Sequence, residues 1–215
     1  MAITLYGRHT SYNVQKVLWL LDDFELAYRH IEFGSNPSDT ETASFAKLNP
    51  MRKVPVLVDG EHVLWESNTI LRYILNKYAV GDWKQQDAYQ ISLYERWMDW
   101  SQTYLEPAFV GVFWGYYRTP VELHDKTKIS DSLGICMKAM SILDDQLSQT
   151  EYLAGNTMSL ADVSVGVFLY RLDEIDLEIT FPEHVGAWYG RLKNCEGFQR
   201  WAMSDFSILK GRLQY

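Results

Sequence analysis

Cysteine is scarce in this chain. Cys136 and Cys195 are the only two in 215 residues. They are far apart and form no Cys-x-x-Cys pair, which excludes a disulfide scaffold and a zinc ribbon and suits a reducing compartment. There is no excess of positive charge. Twenty Lys/Arg stand against 28 Asp/Glu, a net charge of −8 and a pI of about 5.1. That balance argues against a nucleic-acid or anionic-membrane partner, since both need basic patches. No apolar run is long enough to span a bilayer. The N-terminus lacks a basic stretch followed by an apolar one, so no signal peptide is read and the cytoplasm is the expected location. Glycine-rich nucleotide fingerprints, a Gly-Lys-Ser/Thr loop and a spaced His/Cys set are missing, so nucleotide and metal chemistry have no motif. Internal repeats and low-complexity segments are also missing.

What is present is core material. The chain is 47% hydrophobic and 22% charged, and aromatics reach 14% with 8 Trp and 14 Tyr. The length allows one large or two small domains. Charge is unevenly placed: 8 Lys/Arg against 9 Asp/Glu in residues 1–80, and 12 against 19 in residues 81–215. The first part is the better host for an anionic ligand.

Ala2-Ile3-Thr4-Leu5-Tyr6 reads as a strand stopped by Gly7. After a polar loop, a helix begins near Ser11 or Asn13 with Val14, Val17, Leu18 and Leu21 on one face. Tyr28 to Phe33 alternates as a second strand, residues 34–40 read as a turn, and residues 43–48 read as a short helix ended by Asn49-Pro50. Val56-Leu57-Val58 and His62-Val63-Leu64-Trp65 flank Asp59-Gly60, a hairpin signal. Pro55 has no N–H for a central ladder, so it belongs at the mouth of its strand. Glu66-Ser67 opens a helix carrying Ile70, Leu71, Ile74 and Leu75, with Ser67 as the expected N-cap. The order is βαβαββα, a helical crossover giving a parallel pair and the hairpin an antiparallel one.

No strand run follows. The predicted organisation is a small α/β domain over residues 1–79, a linker over 80–86 and an all-helical domain over 87–215. In the second domain a long helix runs from about Gln85 to Tyr104, and Pro107 should end or bend it. Helices follow over 121–149, from Ser159, over 183–193 and over 195–203. Ser159-Leu160-Ala161-Asp162 has the form of a capping box.

Three motifs in this order resemble the soluble glutathione transferase superfamily across essentially the whole chain. Lys53-Val54-Pro55-Val56-Leu57 resembles its cis-proline motif, Glu66-Ser67-Asn68-Thr69-Ile70-Leu71 its γ-glutamyl-binding motif, and Ala154-Gly155 with Ser159 to Val163 its buried capping box. Leu5 to Val17 is most similar to bacterial theta- and beta-like members. The resemblance implies a thioredoxin-like first domain, an all-α second domain, a homodimer, no metal, and glutathione as co-substrate in a detoxifying conjugation to a hydrophobic electrophile.

The thiol of glutathione has to become a thiolate to attack. An ordinary thiol has a pKa of about 8.5, and lowering it by about two units takes roughly 2.7 kcal/mol. A hydroxyl at a helix N-terminus supplies a hydrogen bond and the helix dipole together. Ser11 is the first candidate, falling where the theta-like serine and the beta-like cysteine fall; a plain N-cap would use the same residue. Thr10 and Asn13 are its rivals, His9 is within reach as a solvated loop residue, and Tyr6 lies inside the strand. By resemblance, Val54 with cis Pro55 pairs the cysteinyl backbone, Glu66 takes the γ-glutamyl ammonium, Ser67 takes its carboxylate, and Lys53 or Arg52 takes the glycyl carboxylate. Tyr104, Phe109, Phe113, Trp114 and Tyr117 form an aromatic stretch suited to a flat apolar substrate between the domains or, equally, to core packing. A thiol–disulfide reductase would want a cysteine in residues 7–17, and there is none. A non-catalytic glutathione-binding protein remains the alternative from another class.

Overall fold

Short β-rich runs separated by amphipathic segments pack best as a sheet flanked by helices, and residues 3–80 do so. The computed structural model describes residues 3–84 and 87–213. Ala2 of the predicted first strand, and Gln85 and Gln86 at the predicted linker and helix start, lie outside the described residues. Two compact units form, one from the residues up to Val80 together with Glu196–Ser204, the other from Gly81–Cys195 together with Asp205–Leu213.

In the first unit the order is β1 (Ile3–Tyr6), α1 (Tyr12–Asp23), β2 (Tyr28–Ile31), α2 (Pro37–Thr40), α3 (Ala43–Leu48), β3 (Val56–Asp59), β4 (His62–Trp65) and α4 (Ser67–Tyr78). The sheet order is β2-β1-β3-β4. β1 and β2 are parallel, and β3 is antiparallel to β1 and β4. The hairpin turns where the sequence says it should: Asp59 pairs with His62, and Gly60 takes a left-handed φ of 63°. The predicted turn over 34–40 instead contains the single helical turn α2, because the Asp39 carboxylate accepts the Gly34 and Asn36 N–H groups. The predicted N-cap of α4 also shifts by one. Glu66 holds the cap position with φ 71°, and Ser67 is the first helical residue.

α1 is buried on nearly every side, Gln15 and Lys16 included, where the sequence pattern predicts one apolar face. The extra cover is the helical turn Phe198–Ala202. Phe198 meets Trp19 edge-on at 5.0 Å, and Asp22 accepts from Tyr28 Oη at 2.7 Å, Trp201 Nε1 at 2.8 Å and Arg200 at 2.9 Å. Asp59 does similar work at the far end of the hairpin. Its Oδ2 accepts from Lys77 at 2.7 Å, Tyr73 at 2.9 Å and Tyr78 at 2.5 Å, which ties the turn to the end of α4. Burial pushes this carboxyl up, but the three donors and the lysine charge outweigh it and hold the pKa at about 2.

The second unit is helical: α5 (Ala88–Trp100), α6 (Glu106–Val112), α7 (Lys126–Leu147), α8 (Leu160–Gly166), α9 (Leu169–Glu174) and α10 (Glu183–Leu192). Pro107 does not end the first helix. The chain widens into a π-helical stretch at Ser101–Leu105, where the Glu106 N–H reaches back to Ser101, and Pro107 then sits in the first turn of α6, where its missing N–H does little harm. A second π-helical stretch, Phe113–Arg118, follows. α7 begins at Lys126 rather than near Val121, because Asp125 caps it through the Lys128 N–H. The helix predicted from Ser159 breaks at Val167 and Phe168 into α8 and α9. Among the described residues no helix is long and apolar enough to cross a membrane.

Asp162 is the fixed point of this unit. The carboxylate is fully buried and accepts from the Leu153 N–H at 3.0 Å, the Ser159 N–H and hydroxyl at 2.9 Å each, and Trp188 Nε1 at 3.0 Å. Burial raises its pKa to about 6 against the pull of those four donors. Asp162→Ala leaves them without an acceptor and is expected to lower stability by about 4 kcal/mol, while Ser159→Ala lowers it by about 1 kcal/mol. Urea midpoints of the two variants measure the contrast, and equal losses would show that Asp162 is not the hub.

Asp59 has the opposite pH signature. Its folded pKa of about 2 lies below the ordinary 3.8, so the unfolded chain binds the proton more tightly. The stabilisation is present above pH 4 and is lost as pH falls toward 2. Asp59→Asn is expected to destabilise by about 2 kcal/mol at pH 7 and by far less at pH 2. Thermal melts of both proteins across that range check it.

Candidate active site

The register of the sheet gathers the polar segments at one end. Tyr6 pairs with Ile31 and Val56, and Val56 with Trp65. One row of residues therefore crosses all four strands. Beyond that row lie, side by side, the loop Gly7–Ser11, the Glu32–Gly34 segment, Val54-Pro55 and Glu66-Ser67. The Val54–Pro55 bond is cis. A Cβ on Gly7 would come within 2.4 Å of Val14. Only glycine lets the loop turn this tightly onto α1.

Ser11 occupies the N-cap position of α1, where a hydroxyl ordinarily accepts from the first turn. It makes no side-chain cap hydrogen bond, although the residue is only 8% exposed. Thr10 is similarly buried at 6%. Asn13 is engaged: its Oδ1 accepts from the Ser67 hydroxyl at 2.9 Å, which joins the first turns of α1 and α4. α4 likewise receives no side-chain cap from its N-cap residue. α3, α5, α7 and α8 are capped by their own N-cap side chains, and the N–H groups of His184 and Val185 at the start of α10 go to Asp144; α6 and α9, which continue from preceding helical turns, also lack a side-chain cap. The two helix starts at this end of the sheet thus keep N-terminal dipoles suited to anions.

The remaining candidates divide. Glu66 is exposed with its left-handed backbone, and Ser67 is buried beside Asn13. Arg52 is turned away to Glu41, bonding both its carbonyl and its carboxylate. Lys53 is exposed, and its carbonyl is held at 2.8 Å by Asn49 Nδ2, the same side chain that turns the chain at Met51. His9 pairs with Glu32 at 3.1 Å, and the Tyr6 ring packs edge-on against Phe33. In the second unit Phe109, Phe113 and Tyr117 recur every fourth residue and stack at 5.4 and 5.3 Å. Phe109 and Phe113 are 0% and 1% exposed within that unit. Tyr104 stacks on Trp100 and keeps 36% of its surface, and Trp114 is half-buried beneath the Arg118 guanidinium, 3.8 Å from its ring.

The residues that hold the loop have no place in the reading of motifs. His30 Nε2 donates to the Gly7 carbonyl at 2.7 Å, Glu32 accepts the His9 N–H at 3.1 Å, and Gln15 donates to the His9 carbonyl at 2.8 Å. The one signal for them in the sequence is a polar Gln15 set among Val14, Val17 and Leu18.

Comparison with known proteins agrees with this fold. Residues 1–76 match the glutathione S-transferase N-terminal domain, and residues 127–191 match the glutathione S-transferase C-terminal domain. The chain is 35% identical to glutathione S-transferase GstB of Escherichia coli (strain K12), over 88% of this chain and 92% of that protein. A stretch covering 65% of the chain and 59% of bovine (Bos taurus) glutathione S-transferase theta-1 is 32% identical. The solved theta class glutathione S-transferase of Xanthomonas axonopodis pv. citri, with glutathione bound, superposes with a TM-score of 0.88 at 37% identity, covering 95% of this chain and 98% of that one. Sheet, helical unit and relatives lead to one assignment: the chain belongs to the glutathione S-transferase family.

Proposed function

We propose that this protein is a transferase that binds glutathione at the joined starts of α1 and α4 and uses the Ser11 hydroxyl to hold its thiol as a thiolate. The observation that carries this reading is that Ser11 sits in a capping position without capping. Its hydroxyl is left to donate to sulfur, while the α1 dipole favours the negative charge. Glutathione as the co-substrate is supported by the glutathione-bound Xanthomonas structure, similar over nearly the whole chain. Val54 beside cis Pro55 then pairs with the cysteinyl backbone. The γ-glutamyl carboxylate meets the first turn of α4 at Ser67, and its ammonium meets Glu66. Lys53 takes the glycyl carboxylate in preference to Arg52, which Glu41 already engages.

In the reaction the thiol proton leaves on binding and the sulfur pair forms a bond to an electrophilic carbon. The leaving group departs with its electrons or, in an addition, the product carbanion takes a proton. Tyr104 and Trp114, the members of the aromatic stretch with surface to offer outside Phe109, Phe113 and Tyr117, are the side chains we assign to a small hydrophobic electrophile. The two cysteines, neither of them in a disulfide, fit a cytoplasmic location.

Ser11→Ala removes the hydrogen bond and leaves the α1 dipole, and is expected to raise the pKa of bound glutathione by about one to two units and to lower kcat/KM at neutral pH roughly tenfold. Glu66→Ala is expected to weaken glutathione binding about tenfold and leave the thiol pKa in place. Ultraviolet difference titration reads thiolate directly. No thiolate signal from the unaltered protein on saturation with glutathione would leave a non-catalytic binding protein instead.

We further propose a homodimer. β4 is an edge strand whose Val63 and Trp65 are 42% and 37% exposed, and Met51 in the preceding loop is 57% exposed, apolar surface of the kind a second copy covers. Sedimentation equilibrium should give twice the chain mass for the unaltered protein and the chain mass for the Met51→Asp, Val63→Asp double variant. A monomer at micromolar concentration in the unaltered protein contradicts the proposal.

A further inference from the structure

The loop that carries Ser11 is held on its two sides by different parts of the chain. On the β2 side, Gly7 N–H donates to Ile31 at 3.0 Å, His30 Nε2 to the Gly7 carbonyl at 2.7 Å, Arg8 to the Gly34 carbonyl at 3.1 Å, and the His9 N–H to Glu32 at 3.1 Å. These contacts fix where the loop leaves the sheet. The His9 carbonyl, two residues before Ser11, faces the other way. It accepts from Gln15 Nε2 at 2.8 Å, and the same nitrogen donates its second proton to Ser204 Oγ at 3.0 Å.

Gln15 is 0% exposed, one turn into α1. The His9 carbonyl can only accept, so the amide is oriented with its NH₂ toward the loop. Ser204 ends the segment Glu196–Ser204 that packs with this unit, and the neighbouring ties from Arg200 and Trp201 to Asp22 hold that segment in place. One buried amide thus joins the loop before Ser11 to an anchor almost 190 residues further along the chain.

We propose that Gln15 is a positioning residue for Ser11, with Ser204 as its anchor. The pair sets the direction in which the Ser11 hydroxyl points at the thiolate. This rests on the reading of Ser11 as the thiolate donor. A hydroxyl–thiolate bond is charge-assisted and depends on angle as well as distance. Loss of the Gln15 NH₂ leaves the His9 carbonyl without that donor, and the turn at Thr10-Ser11 relaxes toward water. The peptide-holding residues Val54, Glu66 and Ser67 are on other segments and keep their places. The effect therefore falls on the thiol pKa and not on the binding of the protonated tripeptide.

The test compares Gln15→Leu, Ser204→Ala, Ser11→Ala and the Ser11→Ala, Gln15→Leu double variant, each titrated with glutathione by ultraviolet difference and by calorimetry. Gln15→Leu is expected to raise the bound thiol pKa by about one unit, roughly a threefold loss of thiolate at neutral pH, with the glutathione Kd at about pH 5, where the bound thiol is protonated, changed less than twofold. Ser204→Ala, at a half-buried position outside α1, is expected to give a smaller shift of the same sign. The double variant is expected to match Ser11→Ala alone, because Gln15 acts through Ser11. A folded Gln15→Leu protein with an unchanged thiol pKa overturns the proposal, as does a double variant whose shifts add. If Gln15→Leu does not fold, an unchanged thiol pKa in Ser204→Ala overturns it. A Ser11→Ala protein with an unchanged thiol pKa refutes instead the reading on which the proposal rests.

Discussion

The row Ile31–Tyr6–Val56–Trp65 is the constraint on which the rest of the first unit depends. Side chains alternate across a sheet, so a slip of one residue in any strand turns its core face outward. Leu5 and Leu57, both fully buried, leave no freedom for such a slip. With the register locked, the four strand ends release their polar continuations at one edge. Ser11, Pro55 and Glu66 meet because Leu5 and Leu57 are apolar, not because they attract one another. The hydrogen bond from Ser67 to Asn13 then needs only to trim the approach of two helices already brought together.

Buried carboxylates play a different part at the other end of each element. Asp59 and Asp162, both buried, and the half-buried Asp22 each collect three or four donors. A buried charge is tolerated only when so satisfied, and removing it strands every donor at once. Asp22 and Asp59 act as staples within the first unit, and Asp162 does so within the second. At the Ser11 end the pattern reverses. Two helix starts are left without side-chain caps and one hydroxyl without a capping bond.

The sequence made the strands, the hairpin and the short helix before Asn49 legible, because each rests on local chemistry: alternation, Asp59-Gly60, Pro50 and Pro55. The misread features are those decided from outside the segment. Nothing near α1 announces that Phe198 will cover its second face. Pro107 announces an end or a bend, and the chain takes neither a stop nor a loop but widens at Ser101–Leu105. The Ser159 helix carries an unbroken apolar pattern from Val163 to Leu172 and still divides at Val167. At the site, hydroxyls and charges could be nominated by type. Arg52 and Lys53 could not be ranked, because the Glu41 that engages Arg52 arrives from another loop. The same holds for Gln15, whose second partner is Ser204.

The magnitudes explain why a loop held this firmly suits so modest a donor. Lowering a thiol pKa by two units takes roughly 2.7 kcal/mol. A helix dipole supplies about 0.3–1 kcal/mol at an exposed site and up to about 2 kcal/mol at a partly buried one, and a hydrogen bond to a charged partner about 1.5–3 kcal/mol. Together they reach the requirement with little margin, and only when the hydroxyl points at sulfur. A cation or a general base would tolerate a wandering loop, since Coulomb attraction falls off gently with distance and hardly with angle. A single neutral hydroxyl does not. On the proposed reading of Ser11, the ties on Gly7, Arg8 and His9 are what aims a neutral hydroxyl at sulfur, because they hold the backbone that presents it.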